Sequence, residues 1–99
     1  MRPIHLADLD KTRPAVVLTR EIVRPHIHTV TVAPITSVIR GLTTEVVVGP
    51  PNGLDQASVV NCDNLQTIPV DRLGRQIGLL LAEQEPDLTE AILAAFELE

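Results

Sequence analysis

The sequence has no tryptophan, no tyrosine and a single phenylalanine. Single-stranded nucleic acid is commonly gripped by stacking its bases on aromatic side chains, and this chain cannot build such a platform. It has one cysteine, Cys62, which excludes an intrachain disulfide and suits a reducing compartment. No apolar run approaches the length of a membrane span, and no basic, apolar and small-residue signal pattern opens the chain. The expected location is the cytoplasm, with no membrane partner. A glycine-rich phosphate loop is also missing, since the five glycines are scattered. Neither G-x-S-x-G nor H-E-x-x-H occurs. With no linker or low-complexity segment, the 99 residues read as one domain, 1–99. A domain this small buries a modest share of its surface, so a dimer mate would help it.

What is present is aliphatic. Hydrophobic residues make up 44% of the chain, enough for a core. The net charge of −5 argues at first against an anionic ligand. Its distribution weakens that argument. All eight Lys and Arg lie at or before Arg75, against seven acids in the same stretch, and the last six acids lie beyond it. A nearly neutral body with an acidic tail neither requires nor forbids binding to a phosphate.

The patterning is mainly β. Residues 4–9 read as a first strand and 13–18 as a second, joined by a tight hairpin at Asp10, Lys11 and Thr12. Pro14 lacks an N–H, which predicts that the second strand lies at a sheet edge or begins there. Residues 19–27 read as a loop around Arg24-Pro25. From residue 29, "TVTVA" alternates as a half-buried strand. Residues 37–44 read as an exposed loop, 44–48 as a strand and 49–55 as the strongest turn cluster. Short strands follow at 57–61 and 65–70, then a helical turn at 71–73 and a last strand at 75–81. Asp87 with Glu90 fits a capping box. Leu88, Ile92, Ala95 and Phe96 recur at helical spacing, which predicts a helix from 87 to about 97. Several antiparallel strands and one closing helix describe a small, partly open barrel.

Few residues carry obvious chemistry. His26 and His28 would share a face if they lay on a strand, as two metal ligands can, but no further donor has a matching spacing. A polar pair at a strand mouth is the better reading. His5 reads as a partly buried structural histidine. Cys62 reads as a small buried hydrophobe rather than an activated thiol. Arg13 stands apart: it precedes a proline and the apolar run Ala15 to Leu18. In "APITS", 33–37, Thr36 ends a buried strand two residues after a proline. If the two strands are neighbours, guanidinium and hydroxyl converge on one anion, and arginine fits a phosphate bidentately without losing its charge. The alternative is an arginine paired to Asp8 or Asp10.

Taken in order, "RPAVVLT" (13–19), "VTVAPITS" (30–37), "TEVVV" (44–48), "GLDQASVVNCDNLQTIP" (53–69) and the terminal helix resemble the MazF/PemK family of bacterial toxins. The resemblance implies a small SH3-like, CcdB-like twisted antiparallel barrel, mainly β with a C-terminal helix, that forms a homodimer. It implies an endoribonuclease needing no metal and no cofactor, in which the ribose 2′-OH attacks the adjacent phosphorus to leave 2′,3′-cyclic phosphate and 5′-OH ends. Its catalytic arginine falls on Arg13 and its active-site threonine on Thr36. Ser37 and Arg40 fall where the RNA-contacting loop begins, and Asp63 on an acidic position used by some relatives. Lys11, in a first loop shorter than the family's usual one, and Gln66, where the family has a basic residue, complete the expected RNA contacts. The usual aromatic in strand one is absent. The implied partners are RNA and a MazE-like antitoxin with an acidic tail. Two rivals share this barrel: a gyrase-binding toxin without ribonuclease activity, and an SH3-like interaction module.

Overall fold

The computed structural model describes residues 1–98. Seven strands run β1 Arg2–Asp8, β2 Thr12–Val17, β3 Thr29–Thr36, β4 Glu45–Val48, β5 Ser58–Asn61, β6 Gln66–Pro69 and β7 Leu73–Leu80, followed by one α-helix, α1 Glu85–Ala95. They pair in the order β4-β5-β3-β2-β1-β7, with β6 pairing on β3. Every pair is antiparallel. β3 bends the sheet into a half-barrel because it serves two neighbours in turn. Its first half pairs with β6 through Val30↔Ile68, and its end pairs with β5 through Thr36↔Val59.

The alternation of side chains across the strands gives two cores, one on each face of the central strands. Ile4, Val16, Ala33, Ile35, Val60 and Leu80 meet Leu88 and Ala91 of α1 on one face. Ala7, Ala15, Val17, Val30, Val32 and Ile68 pack together on the other. Strand β2 is therefore buried on both sides, as the continuous run Ala15 to Val17 predicts.

Three expectations need correction. β2 is not an edge strand: it lies between β1 and β3. Pro14 is tolerated because it faces Leu6 on β1, while pairing with β3 starts one residue later, at Ala15↔Pro34. The missing N–H therefore falls outside that ladder. The helix starts two residues earlier than the Asp87 capping box suggests, with Pro86 in its first turn, where a missing N–H costs nothing. Its end carries Glu97 at φ 54, and the Leu98 N–H donates to the Leu93 carbonyl at 2.8 Å, a left-handed C-terminal closure. Phe96 is exposed, because the chain has left the helix there. The remaining differences are shifts of a residue or two: the helical turn is Val70–Arg72 and β7 begins at Leu73. Residues 21–26, expected as loop, form a 3-10 turn.

One turn is locked in place. Asn52, 2% exposed, accepts from the Gly49 N–H at 3.1 Å and donates to the Leu79 carbonyl at 3.0 Å and the Gln84 carboxamide at 2.6 Å. This holds the 50–53 turn against β7. The approach is so close that a Cβ on Gly78 would run into the Asn52 carbonyl oxygen. Gly53 sits at φ 88, and a Cβ there would meet the Ile77 carbonyl. Gly78→Ala is expected to lower unfolding free energy by about 1–3 kcal/mol, the usual cost of overpacking, in a denaturant titration. An unchanged midpoint would contradict the close approach.

Candidate active-site cleft

The register of the central strands brings the two expected site residues together. The β2–β3 ladder runs Val17↔Val32, Val16↔Ala33, Ala15↔Pro34. Continued by two residues, it sets Arg13 opposite Thr36 on the same face. The ladder stops before reaching them, so the strand ends are free to part. The gap is a cleft of about 460 Å³, lined by Arg13, Thr36, Arg40, Asn61, Asp63 and Gln66 among others.

Arg13 is held, not loose. Its Nε donates to Asp10 Oδ1 at 2.8 Å and its Nη2 to Asp10 Oδ2 at 2.9 Å. Of the two alternatives left open by the sequence, the Asp10 pairing forms, and it forms inside the cleft. The guanidinium holds the Asp10 carboxyl well below the usual carboxylate range, and the carboxylate raises the pKa of Arg13 in turn. Both groups are solvent-accessible, Asp10 more than Arg13, at 65% and 27%. Water screens the pair, and it contributes little to stability. Its effect is orientation: Asp10 holds the guanidinium at the cleft, where an anionic ligand would compete for the same donors. Thr36 Oγ1 accepts from the Val38 N–H at 3.1 Å. That leaves its own hydrogen to donate.

The far wall is tied down from behind. Glu45 Oε1 accepts from the N–H groups of Arg40 and Leu42, at 3.2 and 3.1 Å, which shapes the 37–44 loop. Asp63 accepts from the Thr44 hydroxyl at 2.6 Å, and its own N–H is capped by Asn61 Oδ1 at 3.0 Å. Three acids of this cleft therefore already have internal partners. The Arg40 side chain makes no ion pair among the described residues.

Of the seven site residues expected from the sequence, five line this cleft: Arg13, Thr36, Arg40, Asp63 and Gln66. Lys11 and Ser37 line a neighbouring cleft of about 410 Å³, which shares Arg13 and Thr36 with the first. Sequence reasoning missed Glu45, Asn61 and Asn64 as cleft residues, and it placed Asp10 only as a partner for Arg13. Glu45 was the most accessible of these, as an acid opening a strand after a glycine-containing loop. His26 ends a 3-10 turn and His28 lies outside any strand, so they do not share a strand face. Among the described residues no three His, Cys, Asp or Glu side chains gather as a metal site. The His5 ring hydrogen-bonds the Gly74 carbonyl through Nδ1 at 2.8 Å, a structural contact. Cys62 is fully buried, and burial, with a smaller effect from Asp63, pushes its thiol up to about 11. That is the wrong direction for a nucleophile.

Fold and site together define a small β half-barrel that offers an oriented guanidinium and a hydroxyl to an anion in an open groove. The chain belongs to the family described as PemK-like, MazF-like toxins of type II toxin-antitoxin systems, whose pattern it matches over residues 4–96. It is 68% identical over 99 residues to the endoribonuclease MazF3 of Mycobacterium tuberculosis, covering 100% of this chain and 96% of that protein. It superimposes on the solved structure of the Mycobacterium tuberculosis toxin MazF-mt6 with a TM-score of 0.97 at 67% identity, over 99% of each chain. A mycobacterial endoribonuclease solved in complex with its cognate antitoxin shares the fold, with a TM-score of 0.87 at 24% identity, over 98% of this chain and 93% of that one. No described helix is long and apolar enough to cross a membrane.

The ion pair makes a prediction about pH. A depressed carboxyl contributes stability that is present above its unfolded value and is withdrawn as pH falls through the folded one. The Asp10 side-chain carboxyl, followed by NMR through a pH titration, is expected to reach its midpoint well below the ordinary value of about 3.9. In Arg13→Ala the midpoint should return to that value. Equal midpoints in the two proteins would show that the pair does not form in solution.

Proposed function

We propose that the chain is an endoribonuclease toxin that cuts single-stranded RNA, and that Arg13 and Thr36 are its principal catalytic residues. The observation that carries this is the convergence of an oriented guanidinium and a free hydroxyl donor at one groove, from the facing ends of β2 and β3. Its membership of a toxin family with endoribonuclease relatives supports the reading.

The chemistry fits those groups. The 2′-oxygen forms a bond to phosphorus as the bond to the 5′-oxygen breaks, which leaves a 2′,3′-cyclic phosphate and a 5′-OH. The 2′-hydroxyl loses a proton and the departing oxygen gains one. Charge builds on the non-bridging oxygens along the way. Arg13 and Thr36 donate to those oxygens where the charge is greatest, in the transition state. An incoming phosphate competes with Asp10 for Arg13 and releases the carboxylate. Once freed from Arg13, Asp10 is a proton acceptor beside the reacting phosphate, suited to take the 2′-hydroxyl proton. Arg40, Asp63, Gln66, Lys11 and Ser37 contact the RNA on either side.

The working form is a cytoplasmic homodimer, and a MazE-like antitoxin inhibits it by laying an acidic segment in the same groove. Stoichiometric antitoxin should therefore stop cleavage.

The test is cleavage of a long single-stranded RNA in EDTA by the wild type and by folded variants. Arg13→Ala and Thr36→Ala are each expected to lose about 10²–10³ in rate, and Asp10→Asn about 10²–10⁴. Wild-type rates in Arg13→Ala would exclude the assignment. Intact RNA with the antitoxin-free wild type would favour a toxin that acts by binding a protein.

A further inference from the structure

The two clefts around Arg13 do not end the groove. A third depression of about 370 Å³ is lined by Leu6, Pro14, Leu54, Asp55, Arg75 and Gln76 among others. It shares Pro14, Leu54 and Asp55 with the second cleft, which in turn shares Arg13 and Thr36 with the first. The three clefts thus adjoin in series through shared lining residues. Four of the eight basic residues line them: Arg40, Arg13, Lys11 and Arg75. The ribonuclease reading uses the first three and leaves Arg75 without a role.

The third cleft has fixed walls. One is the 50–53 turn, locked on β7 by Asn52 and by the glycine contact at Gly78. The opposite wall is the β1–β2 hairpin, where Leu6 pairs with Pro14. The lining of this cleft mixes polar surface with the side chains of Leu6, Pro14 and Ile77. Arg75 is exposed and makes no ion pair among the described residues, not even with Asp55 across the cleft. A free guanidinium in a mixed polar and apolar depression suits a nucleotide: the phosphate takes the guanidinium, and the ribose or base lies against Leu6, Pro14 and Ile77. The chain also needs such contacts. Without aromatic platforms, its affinity for single-stranded RNA must come mainly from phosphates spaced along a track.

We propose that the third cleft is a subsite for an RNA nucleotide outside the reacting pair, with Arg75 holding its backbone phosphate. This rests on the ribonuclease reading above. Arg75 is then a binding residue that never touches the reacting atoms, so it should act on KM and not on kcat.

The experiment uses a nested set of oligoribonucleotides that share one mapped cleavage site and grow by one nucleotide at a time on either side. For the wild type, kcat/KM is expected to step up about tenfold, the size of one charge-assisted contact, when the oligonucleotide first reaches the third cleft. The step should appear in KM alone. Arg75→Ala should lose the step yet cleave the shortest substrate at the wild-type rate, and Arg75→Lys should recover part of it. On long RNA, the dependence of log kcat/KM on log salt should be shallower in Arg75→Ala by about 0.7. A step of equal size in wild type and Arg75→Ala would overturn the subsite and leave the ribonuclease standing. So would an intact step accompanied by weakened antitoxin binding in Arg75→Ala, which would assign the cleft to the protein partner. A wild type that cleaves none of the RNAs would overturn the ribonuclease reading and the subsite together.

Discussion

The pairing of β2 with β1 on one side and β3 on the other is the constraint on which the site depends. A guanidinium on a flexible four-bond stem is aimed only if its backbone cannot move. Here Ala15, Val16 and Val17, all fully or nearly fully buried, fix the strand from which Arg13 projects. β3 is held in turn on three sides, by β2, β5 and β6. The two strands run together through hydrophobic pairs and part only at their polar ends. The groove is the place where the ladder stops, and its residues are the first ones that the core releases.

Within that frame, one ion pair has two uses. Asp10 occupies the donors of Arg13 that a phosphate would take, so the guanidinium is held in place and its charge is balanced. A carboxylate is a fair imitation of a phosphate oxygen pair, and exchange of one for the other costs the protein little reorganisation. The same logic explains why a protein with net charge −5 can offer a site to an anion. Glu45 and Asp63 in the groove are engaged from behind, by backbone N–H groups and by Thr44, while the side chains of Lys11, Arg40 and Arg75 carry no ion-pair partner among the described residues.

Much of the fold was legible because short-range physics decided it. The apolar run after Arg13, the alternation from Thr29 and the turn residues of 49–55 each gave an element close to where it lies. The position of Pro14 was misread because a proline's tolerance depends on where the next ladder begins, which is a fact about β3. The helix start was misread because Asp87 and Glu90 imitate a cap, while Gln84 is already committed to Leu81 and Asn52 and the helix begins behind it. Arg13 and Thr36 were legible as a pair that would converge on an anion if their strands were neighbours, and the resemblance to a toxin family gave that pair a catalytic role. Glu45, Asn61 and Asn64 were not, since their roles come from the curvature of β3, which no local pattern encodes. Arg75 is further still: one wall of its cleft is the 50–53 turn, distant in sequence and pinned against β7.

On the proposed reading, bound RNA draws Arg13 from Asp10 to the scissile phosphate. This exchange is tested most directly by following the Asp10 carboxyl in a pH titration with and without a bound oligonucleotide whose 2′-hydroxyl is removed at the cleavage site. Saturation with the oligonucleotide is expected to raise the Asp10 midpoint from well below the carboxylate range to about 3.9 or higher. An Asp10 midpoint that stays depressed in the saturated complex would show that Arg13 never leaves its carboxylate and would rule out the exchange.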